Sequence, residues 1–235
     1  TGQHVDYKLQ VENKTKMLFN AIKKKDKDFK LEDVKAFFDN EYHYRNRMDF
    51  IFHTNGIGFR EKGNWKKIND IDECVISNKR LNELLKEARG FFKSPDAFDV
   101  VKHSGTLKYA VIRTPQNHSS ISFVLNSDSS RLSEAQEKIK EFAKTTSADN
   151  VIITMTPADT DVSVSNEYFV VKGKDMLSET YLGKRFEYHV QGFFQNNSVM
   201  AERMHEYVNG LLKKYEKCGE QREDGKKMLT EEKTK

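Results

Sequence analysis

Two short segments combine residue types that can do chemistry. Tyr44-Arg45-Asn46-Arg47-Met48-Asp49-Phe50 sets two arginines one residue apart at the start of an alternating run. In extended chain, residues i and i+2 share a face, so both guanidiniums can reach one run of phosphates. The plainer alternative is a pair of surface arginines on an edge strand. Gly192-Phe193-Phe194-Gln195-Asn196-Asn197 places two aromatics and three carboxamides just ahead of an amphipathic stretch. Such a loop can stack on a planar ring and read its edge. The alternative is two core phenylalanines followed by an asparagine that caps a helix.

Other site chemistries lack their residues. The seven histidines are scattered without a His-Glu-x-x-His pair, and Cys74 and Cys218 are too far apart for a Cys-x-x-Cys pair. The chain's own cysteines therefore do not complete a zinc or iron–sulfur site. No glycine-rich phosphate loop follows a strand, and no serine nucleophile elbow is present. No complete active site is readable in these residues.

Composition sets wider bounds. The 235 residues carry 40 Lys+Arg against 36 Asp+Glu, a formal charge of +4 that permits a nucleic-acid partner without requiring one. Sixteen Phe and nine Tyr are too many aromatics for a disordered chain. No apolar run approaches the roughly 20 residues of a membrane span. Two cysteines exclude a disulfide framework, and no basic region followed by an apolar stretch opens the sequence, so a cytoplasmic location is expected.

The elements that would position the two segments follow from periodicity. Residues 1–22 read as a weakly amphipathic helix, followed by a lysine-rich solvated stretch from Lys23 to Lys30. From Met48 the chain alternates, and Asn55-Gly56 predicts a two-residue turn that puts Thr54 opposite Ile57 and Phe52 opposite Phe59. Gly63-Asn64 turns the chain into a third strand, Trp65 to Ile71. Ser77 or Asn78 caps a helix bearing Leu81, Leu84, Leu85, Ala88 and Phe91. Strands are expected over Leu107–Arg113, Ser120–Leu125, Val151–Thr156, Val162–Ser165, Tyr168–Val171 and Arg185–Val190. Between the second and third of these, Ser133 and Gln136 suggest a capping box for a helix carrying Ala135, Ile139, Phe142 and Ala143. Asn197 or Ser198 starts a last helix whose stripe of Met200, Met204, Tyr207, Val208, Leu211 and Leu212 needs a partner surface. The fold class expected is α+β, a mostly antiparallel sheet with about four helices. Its organisation is an N-terminal helix and basic linker over 1–40, a central domain over 41–215 and a disordered charged tail over 216–235.

Several stretches, in order, resemble the RNA (uracil-5-)-methyltransferases that act on tRNA and rRNA. Gln3-His4 with Tyr7 and Gln10 is similar to the segment that follows that family's cysteine cluster. Tyr44 through Gly63, then Ile71-Asp72-Glu73-Cys74, resembles its Tyr-Arg strand, Gly-Phe hairpin and lone cysteine preceded by an acidic residue. Leu107 to Arg113 looks like its strand ending in arginine, and Phe193-Phe194-Gln195-Asn196-Asn197 resembles its Phe-Phe/Ile-Gln-x-Asn motif before a helix.

The resemblance implies roles residue by residue. Gln195 aligns with a contact to S-adenosyl-L-methionine (SAM), Phe193 with an aromatic beside the target uridine, and Arg45 and Arg47 with RNA-contacting positions. Cys74 aligns with the fourth ligand of a 4Fe–4S cluster whose other three cysteines are not in this sequence. The family's glycine-rich cofactor loop, its catalytic cysteine in a Ser-Cys-Asn-Pro context and its glutamate base have no counterpart after Tyr215. The chain is thus expected to supply RNA recognition and base and cofactor positioning within a truncated SAM-dependent tRNA or rRNA methyltransferase. The alternative is a non-enzymatic RNA-binding module derived from that family.

Overall fold

Alternation along the strands decides which side chains meet the core. In β1 (Arg47–His53), Phe50 and Phe52 are fully buried on one face, while Arg47, Asp49 and Ile51 take the other. β2 (Gly56–Glu61) and β3 (Asn64–Asp70) extend the sheet on one side of β1. On its other side lie β4 (Leu107–Arg113), β5 (Ser120–Asn126), β6 (Asn150–Thr156) and β7 (Tyr168–Lys172). The order is β3-β2-β1-β4-β5-β6-β7, antiparallel throughout except for β5 and β6. A parallel pair needs a crossover, and α3 (Leu132–Thr145) provides it. The chain is therefore α+β. The structure is a computed structural model that describes residues 4–231, with side chains through residue 215; Gln3 and the Cys218 side chain lie outside the described residues.

Helices α2 (Lys79–Phe91) and α3 cover the phenylalanine face. Asn78 is the residue that caps α2, its Oδ1 accepting from the Leu81 amide at 2.8 Å. Phe52, Phe92, Phe123 and Phe142 form the centre of the core, with ring centroids 5.0 to 5.6 Å apart along that chain. Every residue of β4 and β5 is buried, so the opposite face is covered as well. There a two-stranded hairpin, β8 (Met176–Tyr181) with β9 (Lys184–His189), brings Leu177 and Tyr188, with Val190 just beyond it, onto Ile152. Helix α1 (Tyr7–Lys23) buries no residue fully and touches the following segment through Tyr7 and Phe38, 6.3 Å apart.

Several local expectations shift. The first hairpin pairs Phe52 with Ile57 and His53 with Gly56, two residues out from the register that an Asn55-Gly56 loop gives. Phe59 instead meets Phe50, at 5.1 Å. Gly58 passes so close to β3 that a Cβ there would collide with the Asn69 carbonyl, which binds the register to that approach. Ser133 lies inside α3 and makes no capping box, because the helix begins two residues earlier, after Arg131. Val162–Ser165 is a loop, its Ser165 end tied to Gln191 rather than to a strand. β8 was not expected. The backbone of α4 (Ser198–Glu231) stays helical past residue 216, where a disordered tail was expected.

Phe123→Ala would remove the ring at the centre of the aromatic cluster and is expected to cost about 3–5 kcal/mol in urea unfolding. A loss below about 1 kcal/mol would show that the neighbouring rings close the hole.

Candidate functional site

The loop 190–198 lies across the end of the sheet where β1 begins and β4 ends, and Arg113 and Asn46 hold its backbone there. Arg113, the last residue of β4, is buried and donates from Nη1 to the carbonyls of Val190 and Gly192, both at 2.8 Å. Its guanidinium also lies over the Tyr188 ring, 5.2 Å from the centroid. Burial, reinforced by the neighbouring Arg47, pulls its pKa down to about 10, which leaves it charged at neutral pH.

Asn46 holds the other end of the loop. Its backbone N–H donates to the Asn196 carbonyl at 2.8 Å, and its Nδ2 donates to Glu179 Oε1 and reaches Ser198 Oγ, both at 2.9 Å. Glu179 is fully buried in β8 and also accepts from the Ser198 hydroxyl, at 3.0 Å, and from the Tyr181 hydroxyl. Burial raises the pKa of the Glu179 carboxyl, against the opposing effect of these donors. Asn46, Arg113 and Glu179 carry the geometry, yet in the sequence they stand out only as an Asn between two arginines, the end of a strand and an acid in an unexpected one.

With both ends fixed, the two phenylalanines separate. Phe194 turns inward and stacks on Tyr188 with centroids 4.1 Å apart and rings 6° from parallel. Phe193 turns outward and is 82% exposed. A cavity of about 380 Å³ beside it is lined by Arg45, Arg47, Asp49, Phe59 and Asn196. The Arg45 and Arg47 pair and Phe193 thus share one cavity.

Arg47 is not an unengaged cation. It grips Asp49 with two hydrogen bonds, of 3.0 and 3.1 Å. Burial works to raise the Asp49 pKa, but the bonds and charge of Arg47, with the Ser163 hydroxyl, hold it below its ordinary value. Arg47 also stands directly opposite Arg113 across the β1–β4 ladder, so Asp49 offsets a like-charge pair. Arg45 donates from Nε to the Arg47 carbonyl at 3.0 Å.

Gln195 is exposed on the other side of the loop. It lines a groove of about 490 Å³ with Phe37, Met200, Met204 and Tyr207 of α4 and the segment before β1. Asn197, not Ser198, caps α4, accepting from the Met200 amide at 3.1 Å. Cys74 is half-buried, its backbone held by Asn82 at 2.9 and 3.1 Å. A 4Fe–4S cluster takes four thiolates. The sequence has two cysteines, and among the described residues no group of three metal-ligating side chains forms, so these residues alone do not fit the cluster.

Glu179→Ala would strip Asn46, Ser198 and Tyr181 of their shared acceptor, at an expected cost of about 1–3 kcal/mol for each donor left unpaired. Because the folded-state pKa is raised, the stability Glu179 contributes is full below its ordinary value of 4.5 and is lost as pH rises through the raised one. Glu179→Gln stays neutral and should flatten that slope in urea unfolding measured at successive pH values. An unchanged slope would mean that Glu179 ionises normally.

No family model matches the chain. An uncharacterized RNA methyltransferase of Leptospira interrogans is 32% identical over 201 residues, which is 83% of this chain and 44% of that protein. The tRNA (uracil(54)-C(5))-methyltransferase of Pyrococcus abyssi is 28% identical over 217 residues, covering 90% of this chain and 49% of its own. Among solved structures, the Pyrococcus abyssi tRNA (uracil-54, C5)-methyltransferase in complex with S-adenosyl-L-homocysteine matches 89% of this chain and 50% of that one, with a TM-score of 0.69 and 26% identity. The chain spans about half the length of the curated relatives it matches. Shared fold and shared sequence together make it a member of the RNA (uracil-5-)-methyltransferase family.

Proposed function

We propose that this chain is the part of a SAM-dependent tRNA or rRNA (uracil-5-)-methyltransferase that docks the RNA and holds the target uracil. The carrying observation is that Phe193 is exposed over a cavity lined by Arg45 and Arg47, while Phe194 of the same dipeptide is stacked inside. A uracil within an RNA stack hides its reacting carbon, so it must be turned out and held. Phe193 stacks on the extruded ring, Arg45 steers the adjoining phosphate, and Arg47, already shared with Asp49, contributes a weaker field. Asn196 lines the same cavity.

SAM, when bound, supplies the methyl group. Gln195 offers one exposed carboxamide towards it; a single side chain does not make a cofactor site, so the other contacts come from outside these residues. The nucleophile is also supplied elsewhere. In the reaction a cysteine thiolate adds to the ring carbon beside the methylation site, and that site then attacks the methyl group. A base removes the remaining proton, and the thiolate leaves.

Mobility shifts with tRNA at low salt test the docking role. Wild-type chain is expected to retard the RNA, and Phe193→Ala to weaken binding by roughly 5- to 150-fold, the range of one base–aromatic stack. Arg45→Ala should weaken all sequences alike and lower the salt slope by about 1. Undiminished binding by Phe193→Ala would remove the stacking role. Methyl transfer from labelled SAM to RNA by these 235 residues alone would overturn the division of labour.

A further inference from the structure

β1 connects the Phe193 cavity to a second depression at the far end of the strand. Arg47, Asp49 and Ile51 alternate onto one face of the sheet, and Ile51 with Tyr109 forms the floor of a groove of about 460 Å³. From Arg47 to His53 the strand rises about 20 Å. The groove's outer wall is β3, an edge strand that is exposed along nearly its whole length. There Trp65, the single tryptophan of the sequence, is 53% exposed.

The groove is basic. His53, Arg60, Lys66, Lys102 and Lys108 line it against the carboxylates Asp99 and Asp161. Asp161 pairs with Arg60 at 2.8 Å and Asp99 with Lys102 at 3.6 Å, and buried Lys108 donates to the Thr156 hydroxyl and the Pro157 and Thr160 carbonyls, so among the described residues Lys66 is the lining cation left without an acceptor. Lys66 Nζ lies 5.6 Å from the centre of the Trp65 ring, a cation beside an aromatic platform. An exposed flat ring with an unpaired ammonium beside it suits a base stacked over a phosphate, the combination that binds single strands.

We propose that this groove is a second docking surface, taking single-stranded RNA that continues along β1 from the base held at Phe193, with Trp65 stacking on a nucleotide beyond the target. The inference rests on the reading of the Phe193 cavity given above and extends it to the RNA flanking the target base. It explains why the edge strand carries its largest apolar side chain in water.

Because Trp65 is the only tryptophan, its emission reports on this groove and not on Phe193. Full chain titrated with a uridine-rich single-stranded RNA should show saturable quenching whose midpoint coincides with the mobility shift. Trp65→Ala should weaken binding roughly 5- to 150-fold, while Trp65→Phe, which keeps a ring, stays close to wild type. RNA retarded without quenching, or bound equally well by Trp65→Ala, would overturn the groove and leave the Phe193 reading standing. Equal quenching by the same RNA annealed to its complement would also overturn it. Loss of binding in Trp65→Ala but not in Phe193→Ala would support the groove and remove the Phe193 stack. No RNA binding by wild type would remove both.

Discussion

The site depends on two residues at one end of the sheet whose N–H groups capture the carbonyls of a crossing loop. Arg113 takes Val190 and Gly192, and Asn46 takes Asn196 through its own backbone. A loop pinned at both ends retains few conformations, and the stacking of Phe194 on Tyr188 removes most of those that remain. Phe193 is then held out in solvent by the same contacts that hold Phe194 in. The exposure of one ring is a consequence of the burial of its neighbour.

Holding a loop this way puts charge where water is scarce. Arg113 is buried beside Arg47, a repulsion that Asp49 and the loop carbonyls together offset. A planar guanidinium suits this role, because one nitrogen can serve two carbonyls while the delocalised face rests on Tyr188. Glu179 completes the arrangement from the β8 side with three donors converging on one carboxyl. Such a network is stable when every member is satisfied and costly when one is removed. That coupling makes the loop rigid at its ends and leaves only its outward side chains to meet a ligand.

The same architecture orders the surface. The face of β1 that carries Arg47 and Asp49 near the loop carries Ile51 at the groove beside Trp65, so one strand joins both depressions. α4 starts from the loop under the Asn197 cap, and its exposed Met204, Tyr207, Val208 and Leu211 lie on the side of Gln195 rather than of Phe193. The loop therefore separates two surfaces, one basic and aromatic and the other apolar with a carboxamide.

Much of the fold was legible in the sequence because it is encoded locally. Period-two alternation marked β1, the 3.6-residue spacing of Leu81, Leu84, Leu85 and Ala88 marked α2, and Ser77 and Asn78 marked the place of its cap, which Asn78 fills. The two segments singled out for chemistry do lie together at Arg45, Arg47 and Phe193. What the sequence left open needed distant partners. Asn46 and Glu179 are 133 residues apart, and nothing in either neighbourhood distinguishes a side chain that bonds across the fold from one that bonds to water. Nor can adjacent phenylalanines reveal which turns inward, since both are equally apolar and only Tyr188 and Tyr181 favour one of them. The hairpin register moved by two residues because the packing of Phe50 on Phe59 and the close pass of Gly58 outweighed the local preference of Asn-Gly. Residue type and spacing thus determined the elements and the candidate chemistry, while tertiary packing decided which side chains reach solvent, because exposure is settled by neighbours that the linear order does not show.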